Sequence, residues 1–234
     1  MIVFFYYFFI FLIYAVIGWI VESTNISLRM GKFIDRGFLI GPYCPIYGFG
    51  CLGMILYLNQ YKENVITVFI LGVVICSILE YFTSYIMELL FKTRWWDYSE
   101  RRFNLNGRIC GENACMFGLG GLVVIYLVHP MLLGILNSLK TNTLIIISIS
   151  LFIIFIIDII ISLNVINRFK KTITSIDLKK DSTLEFSKMV KQTIKENHQI
   201  FQNRLLTAFP NVSFQKIIDL KNDLKEDLMD LLKK

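Results

Sequence analysis

Apolar residues along this chain come in long unbroken runs divided by short polar segments. Five runs cover about residues 2–28, 45–60, 64–91, 113–136 and 143–166. A membrane-spanning helix needs about 20 mostly apolar residues, and four of the runs exceed that. The run at 45–60 would make a helix of only about 24 Å, against about 30 Å of hydrocarbon. Beyond Asn167 the pattern changes. Ser182 to Glu185 reads Ser-Thr-Leu-Glu, a capping box, and it predicts a helix to about Ala208 that Pro210 stops. Ser213 can cap a second helix to Leu232, on which Ile217, Leu220, Leu224, Leu228 and Leu231 share one face. The pattern predicts an all-α protein. It is a polytopic membrane helical bundle with five transmembrane helices over residues 1–167, followed by a C-terminal cytoplasmic helical tail over 168–234. The tail helices either pack on themselves or the membrane, or present a docking face to a partner.

The polar residues inside the runs are few and periodic. Tyr14, Gly18, Glu22, Asn25 and Arg29 fall at helical spacing in the first run, and Cys76, Glu80, Ser84 and Glu88 in the third. Asp158 stands in the fifth among Ile and Phe, with Ser162 one turn on. An ionisable group facing lipid costs at least about 2.5 kcal/mol, so these faces point into the bundle. They line a polar cavity for substrate or protons, or they pair with arginines from the loops. Glu22 and Glu88 lie near the ends of their runs, within reach of Arg36 or Arg108. In the fourth run Gly111, Cys115, Gly118 and Gly121 allow close helix approach.

The stretch before the short second run reads Gly37-Phe-Leu-Ile-Gly-Pro-Tyr-Cys-Pro45. Pro42 and Pro45 bar a helix from running through it, and Pro45 suits a first helical position. Residues 37–44 then enter the membrane as non-helical backbone, which is tolerated only when buried in protein or lining a wet cavity. The segment 93–113 carries Trp95, Trp96, four arginines and the turn Asn104-Leu-Asn106-Gly107. Tryptophan suits the membrane–water boundary, and Gly107 can take positive φ. The segment predicts an ordered cap that folds against 37–45, with Arg108 turned toward Glu22, Glu80 and Glu88.

Charge orients the chain. The 234 residues are 55% hydrophobic with a mean hydropathy of +0.59, above the ~45–50% apolar content of average chains. Arg29, Lys32 and Arg36 follow the first run, and Lys92, Arg94, Arg101, Arg102 and Arg108 follow the third. Arg168, Lys170 and Lys171 follow the fifth, whereas the two remaining loops carry only Lys62 and Lys140. Basic loops mark the cytoplasmic side, so the reading is a multi-pass cell-membrane protein with its N-terminus outside and its C-terminus cytoplasmic. The first run lacks the basic start and cleavage site of a signal peptide. Most of the net charge of +6 lies in the tail, where it meets anionic lipid. No recognition motif accompanies it, so nucleic acid is not an expected partner. Without a C-x-x-C pair, and with only His129 and His198 for imidazole, neither a metal site nor a cofactor is expected.

At GFLIGPYCPIYGFG, then WWDYS, then FNLNGRIC, and finally His129-Pro130, the sequence resembles the ABC-transporter type IV permeases of the CmpB type, over roughly residues 5–165. The resemblance carries over Trp19, Glu22, Arg36, Gly37, Gly41, Pro42, Tyr43, Pro45, Tyr47 and Gly48. It carries over Glu80, Trp96, Asp97, Tyr98, Asn104, Asn106, Gly107 and Arg108 as well. The chain departs from the family pattern after GRIC, where Gly111-Glu112 precede Asn113-Ala114. The substrate or cavity candidates are Glu22, Arg36, Tyr43, Tyr47, Glu80, Asp97, Asn104, Asn106, Arg108 and Asp158. The resemblance implies a permease component. No G-x-x-x-x-G-K-[ST] motif is present, so a separate ATPase subunit is expected, with a homodimer or second permease. Two other classes stay open. One is a non-catalytic membrane scaffold or sensor. The other is an intramembrane enzyme on lipid or envelope material, with Glu80 or Asp158 as acid or base and Arg36 and Arg108 on a phosphate, although no nucleophile constellation supports it.

Overall fold

The structure is a computed structural model and describes residues 2–91, 93–175, 204–205, 207–209 and 213–214. Helix α1 is Ile2–Met30, α2 is Pro45–Leu58 and α3 is Val65–Phe91. Helix α4 is Gly111–Val123, α5 is His129–Ser138 and α6 is Thr141–Ser175. A turn of 3-10 helix, Asn59–Tyr61, follows α2, and a π-helical segment, Val124–Val128, joins α4 to α5. Two-residue strands β1 (Thr93–Arg94) and β2 (Ser213–Phe214) pair antiparallel, Thr93 with Phe214 and Arg94 with Ser213.

Four helical stretches are long and apolar enough to cross a membrane: Ile2–Met30, Val65–Phe91, Gly111–Ser138 and Thr141–Arg168. Their outer faces carry Ile20, Ile70, Ile78, Met131, Ile153 and Ile157, all exposed. So much contiguous apolar surface belongs in lipid rather than water. The 14 residues of α2 fall short of that length. Its first turn nonetheless lies at the Glu22 level of α1, where Tyr47 meets Glu22. Its last residue, Leu58, packs in one cluster with Val68 near the start of α3, Leu136 near the end of α5 and Leu144 near the start of α6.

The chain divides into two compact units. The first comprises residues 1–83 and 98–163, the second 84–97 and 164–234. In the first, α1 packs on α2, and the buried residues of α1, α2, α3, the π segment and α5 share the core around Tyr14, Met54, Val68, Cys76 and Ile125. A second core joins α1 to α6 through Phe8, Phe11 and Phe155, with Leu39 and Tyr43 of the intervening loop. Glycines set the closest approaches. A Cβ on Gly18 of α1 would stand 2.3 Å from the Tyr47 ring, and one on Gly118 of α4 would stand 2.6 Å from the ring of Phe69. The π segment has a local cause. Pro130 lies within the continuous helical stretch, lacks an N–H and crowds the carbonyl four residues back. Widening the turn at 124–128 relieves that crowding and leaves His129 buried.

In the second unit Trp95 is buried and packs edge-on against Phe209, with ring centroids 5.2 Å apart. Arg204–Leu205 and Thr207–Ala208 are helical, with Phe209 N–H donating to the Leu205 carbonyl at 3.0 Å. The rest of the helix expected from Ser182, and the helix expected beyond Ser213, lie outside the described residues.

Candidate functional site

The break between α1 and α2 is built by Gly37, Gly41 and two prolines. Gly37 takes φ +123°, a conformation that favours glycine. A side chain on Gly41 would strike the Tyr43 ring at 2.5 Å. Cys44 is the N-cap of α2 and Pro45 begins it, while the Cys44 N–H donates to the Ala15 carbonyl of α1 at 2.8 Å. Non-helical backbone in an apolar bundle needs partners for its N–H groups. Asp158 of α6 supplies them. It accepts from the Ile40 N–H at 3.0 Å, the Gly41 N–H at 2.7 Å, the Tyr43 hydroxyl and the Ser162 hydroxyl at 2.8 Å. The carboxylate is buried and serves as the acceptor around which residues 40–43 fold.

A second group lies where α1 leaves the bundle. The Glu22 carboxylate accepts from the Tyr47 hydroxyl and forms an ion pair with Arg36 at 3.5 Å. Two serines of α1 hold the returning chain: Ser27 accepts from the Ile34 N–H at 2.8 Å and Ser23 from the Arg36 N–H at 3.0 Å. The Trp19 indole donates to Asp35 at 2.8 Å.

The third group centres on Glu80 of α3, 6% exposed. Its Oε1 accepts from the Tyr98 hydroxyl at 3.2 Å. Its Oε2 is buried without a hydrogen bond. The Asn113 amide of α4 stands beside the same carboxyl and donates to the Tyr98 hydroxyl at 2.6 Å. Burial, then the Glu80 carboxylate, and further Cys110 and Glu22, push the Tyr98 hydroxyl well above its ordinary value. Tyr98 thus stays a neutral donor, and Glu22 and Glu80 act on the same phenol.

The segment carrying Tyr98 is ordered by its own side chains. The Asn104 amide donates to the carbonyls of Ser99 at 3.2 Å and Arg101 at 2.8 Å, and its oxygen accepts from the Gly107 N–H at 3.1 Å. Leu105 bridges Ile109, and Gly107 takes φ +66°. Asn106 donates to the Tyr81 hydroxyl at 2.9 Å, and Arg108, buried, lies over the Tyr81 ring at 5.8 Å.

Of the sequence candidates, Tyr43 and Asp158 meet in the first group, and Glu22, Arg36 and Tyr47 in the second. Glu80 anchors the third, with Asn104, Asn106 and Arg108 in the loop beside it. Asp97 belongs to the second unit and faces Arg94 at 3.7 Å. Glu88 pairs there with Arg94 at 3.1 Å, where the sequence suggested Arg36 or Arg108. Arg94 lies closer in the chain and turns back along α3. The sequence candidates left out Tyr98 and Asn113. Tyr98 stood among the positions the resemblance carries over, without a role. Asn113 follows the Gly111-Glu112 departure from the family pattern, and its amide donates to the Tyr98 hydroxyl.

The same residues mark the chain's ancestry. A family model described as "Putative ABC-transporter type IV" (ABC_trans_CmpB) matches residues 9–163, more than half of the chain. The chain belongs to this family. All three groups in the first unit fall within the matched span, as do the interrupted helix break and the His129-Pro130 pair. No curated protein and no solved structure matches the chain. In this family member Glu22, Glu80 and Asp158 of the membrane helices take hydrogen-bond or ion-pair partners from the loops 31–44 and 98–110.

Proposed function

We propose that this family member is a permease subunit of an ATP-driven transporter in the cell membrane. It crosses the bilayer five times with its N-terminus outside and its C-terminus cytoplasmic. It divides into a membrane domain over residues 1–167 and a cytoplasmic helical tail over 168–234. It lacks a nucleotide-binding P-loop, so the energy comes from a separate ATPase subunit. Five crossings make a narrow path for one chain, so two copies act together.

One observation carries the reading: the acidic side chains Glu22, Glu80 and Asp158 of three membrane helices converge on two ordered loops. Glu22, Glu80 and Asp158 meet those loops through Arg36, Tyr98 and Tyr43. Both loops are rich in basic residues, which supports a cytoplasmic position. Helix α2 starts at the Glu22 end and finishes against the start of α3, which supports its counting as a crossing. The segments 29–44 and 92–112 are the surface offered to the ATPase.

The test is purification of the tagged chain from native membranes in mild detergent, followed by mass spectrometry and ATP hydrolysis. An ATPase subunit that co-purifies, and that cross-links to residues in the two loops, is the expected result. Recovery of the chain free of any ATPase, after cross-linking in intact cells, would overturn the proposal.

A further inference from the structure

Glu80 is the buried acidic residue whose needs the surrounding protein leaves unmet. Asp158 has four donors, and Glu22 has Arg36 and Tyr47. Glu80 accepts from Tyr98 on Oε1 with the Asn113 amide beside the carboxyl, while among the described residues Oε2 is enclosed with no donor. It lies about three turns before the end of α3. Its neighbours come from several elements. Tyr98 faces it from the loop and Asn113 from α4, Cys76 lies one turn back on α3, and Glu22 acts on it from α1. Behind Glu22 stand Tyr47 of α2 and Arg36, and Arg108 lies over the neighbouring Tyr81 ring. Among the described residues no cation is paired with Glu80.

An ionised carboxylate enclosed in a membrane bundle needs a counter-charge or a full set of donors, and without them the neutral form is favoured. A hydrogen on Oε2 turns the unmet acceptor into a neutral carboxylic acid. The Tyr98 bond to Oε1 is kept in both forms, so the site accommodates the acid and the anion without rebuilding. We propose that Glu80 is a proton-binding site of the transport unit: it holds an exchangeable proton on Oε2 and releases it toward Glu22 and the loops at that end. Tyr98, fixed by Asn113, stabilises the anion left behind. The proposal adds a ligand, the proton, to the permease reading. It is tested on the isolated chain, where failure to find an ATPase has no bearing.

The experiment is infrared spectroscopy of the full chain in lipid nanodiscs near neutral pH, in water and in deuterium oxide. A protonated carboxyl band that shifts on deuteration is expected in the wild type. It should be lost in Glu80→Gln and kept in Glu22→Gln. Should Glu80→Gln fail to yield a monodisperse protein, Tyr98→Phe serves instead, and the band should then shift in frequency because Oε1 has lost its donor. Identical carboxyl bands in wild type and Glu80→Gln, or in wild type and Tyr98→Phe, would overturn the proposal. So would a band abolished by sodium at constant pH, which would assign the site to a metal cation.

Discussion

Asp158 and Gly18 show how single side chains hold the first unit together. Asp158 has two oxygens shared among four donors, two of them backbone N–H groups that have no helix to satisfy them. Asp158→Asn keeps one acceptor oxygen and replaces the other by a donor, which then faces the Gly41 or Ile40 N–H. Leaving a buried donor unmet costs about 1–3 kcal/mol. We expect thermal unfolding in detergent to shift down accordingly, and an unchanged melting temperature would refute the anchoring role. Gly18→Ala inserts a methyl 2.3 Å from the Tyr47 ring and should destabilise by about 1–3 kcal/mol through overpacking. Gly120→Ala meets nothing within 4 Å and should leave stability unchanged or raised, since alanine favours helix by up to about 1 kcal/mol. Equal effects of the two substitutions in the same unfolding assay would remove the argument. That acidic residues at these positions face inward was legible in the sequence, because lipid tolerates no other arrangement. Their partners were legible only in part: Arg36 for Glu22 was, but the backbone of residues 40–41 for Asp158 was not. Backbone donors carry no mark in a sequence.

At the scale of elements, Pro130 and the break at 37–44 do opposite things to a helix. Pro42 and Pro45, with Gly37 and Gly41, stop the chain from being helical and leave backbone groups for Asp158 to satisfy. Pro130 is absorbed within a continuous helical stretch by the wide turn at 124–128. That turn presents His129 to the Tyr14 hydroxyl, 3.4 Å away and buried. We expect Tyr14→Phe to cost about 0.5–1.5 kcal/mol in the wild-type background and to cost little in Pro130→Ala, whose helix regains regular spacing and rotates His129 away. A double-mutant cycle by denaturant unfolding measures this, and purely additive effects would show that the π turn does not position His129. The prolines were plain in the sequence. That Pro42 and Pro45 break the helix and that α2 starts at Pro45 was legible there too, whereas the wide turn before Pro130 was not.

For the whole molecule the question is how many times the chain crosses. Four stretches satisfy length and hydropathy, and α2 is shorter. Its ends meet opposite ends of its neighbours, and the proposed topology follows from that together with the basic loops. Single cysteines can be placed at Lys62, Lys140, Lys32 and Arg102 in a background with the exposed Cys115 replaced by Ser. An impermeant thiol reagent added to intact cells should label Lys62→Cys and Lys140→Cys, and should reach Lys32→Cys and Arg102→Cys only after the membrane is opened. Protection of Lys62→Cys in intact cells would mean that α2 turns back, and it would discard the five-crossing reading.

The sequence by itself determined where the long helices lie, that they belong in a membrane, and which family the chain joins. Those properties are local: an apolar run of sufficient length satisfies its own backbone and buries its side chains in lipid whatever its neighbours are. Motif order is likewise written along the chain. Only the tertiary structure decided that Asp158 holds the helix break, that Tyr47 donates to Glu22 beside Arg36, and that Tyr98 and Asn113 leave one oxygen of Glu80 unmet. Each of these depends on groups brought together from distant parts of the chain, and a buried charge in lipid is defined by such neighbours rather than by its own position in the sequence.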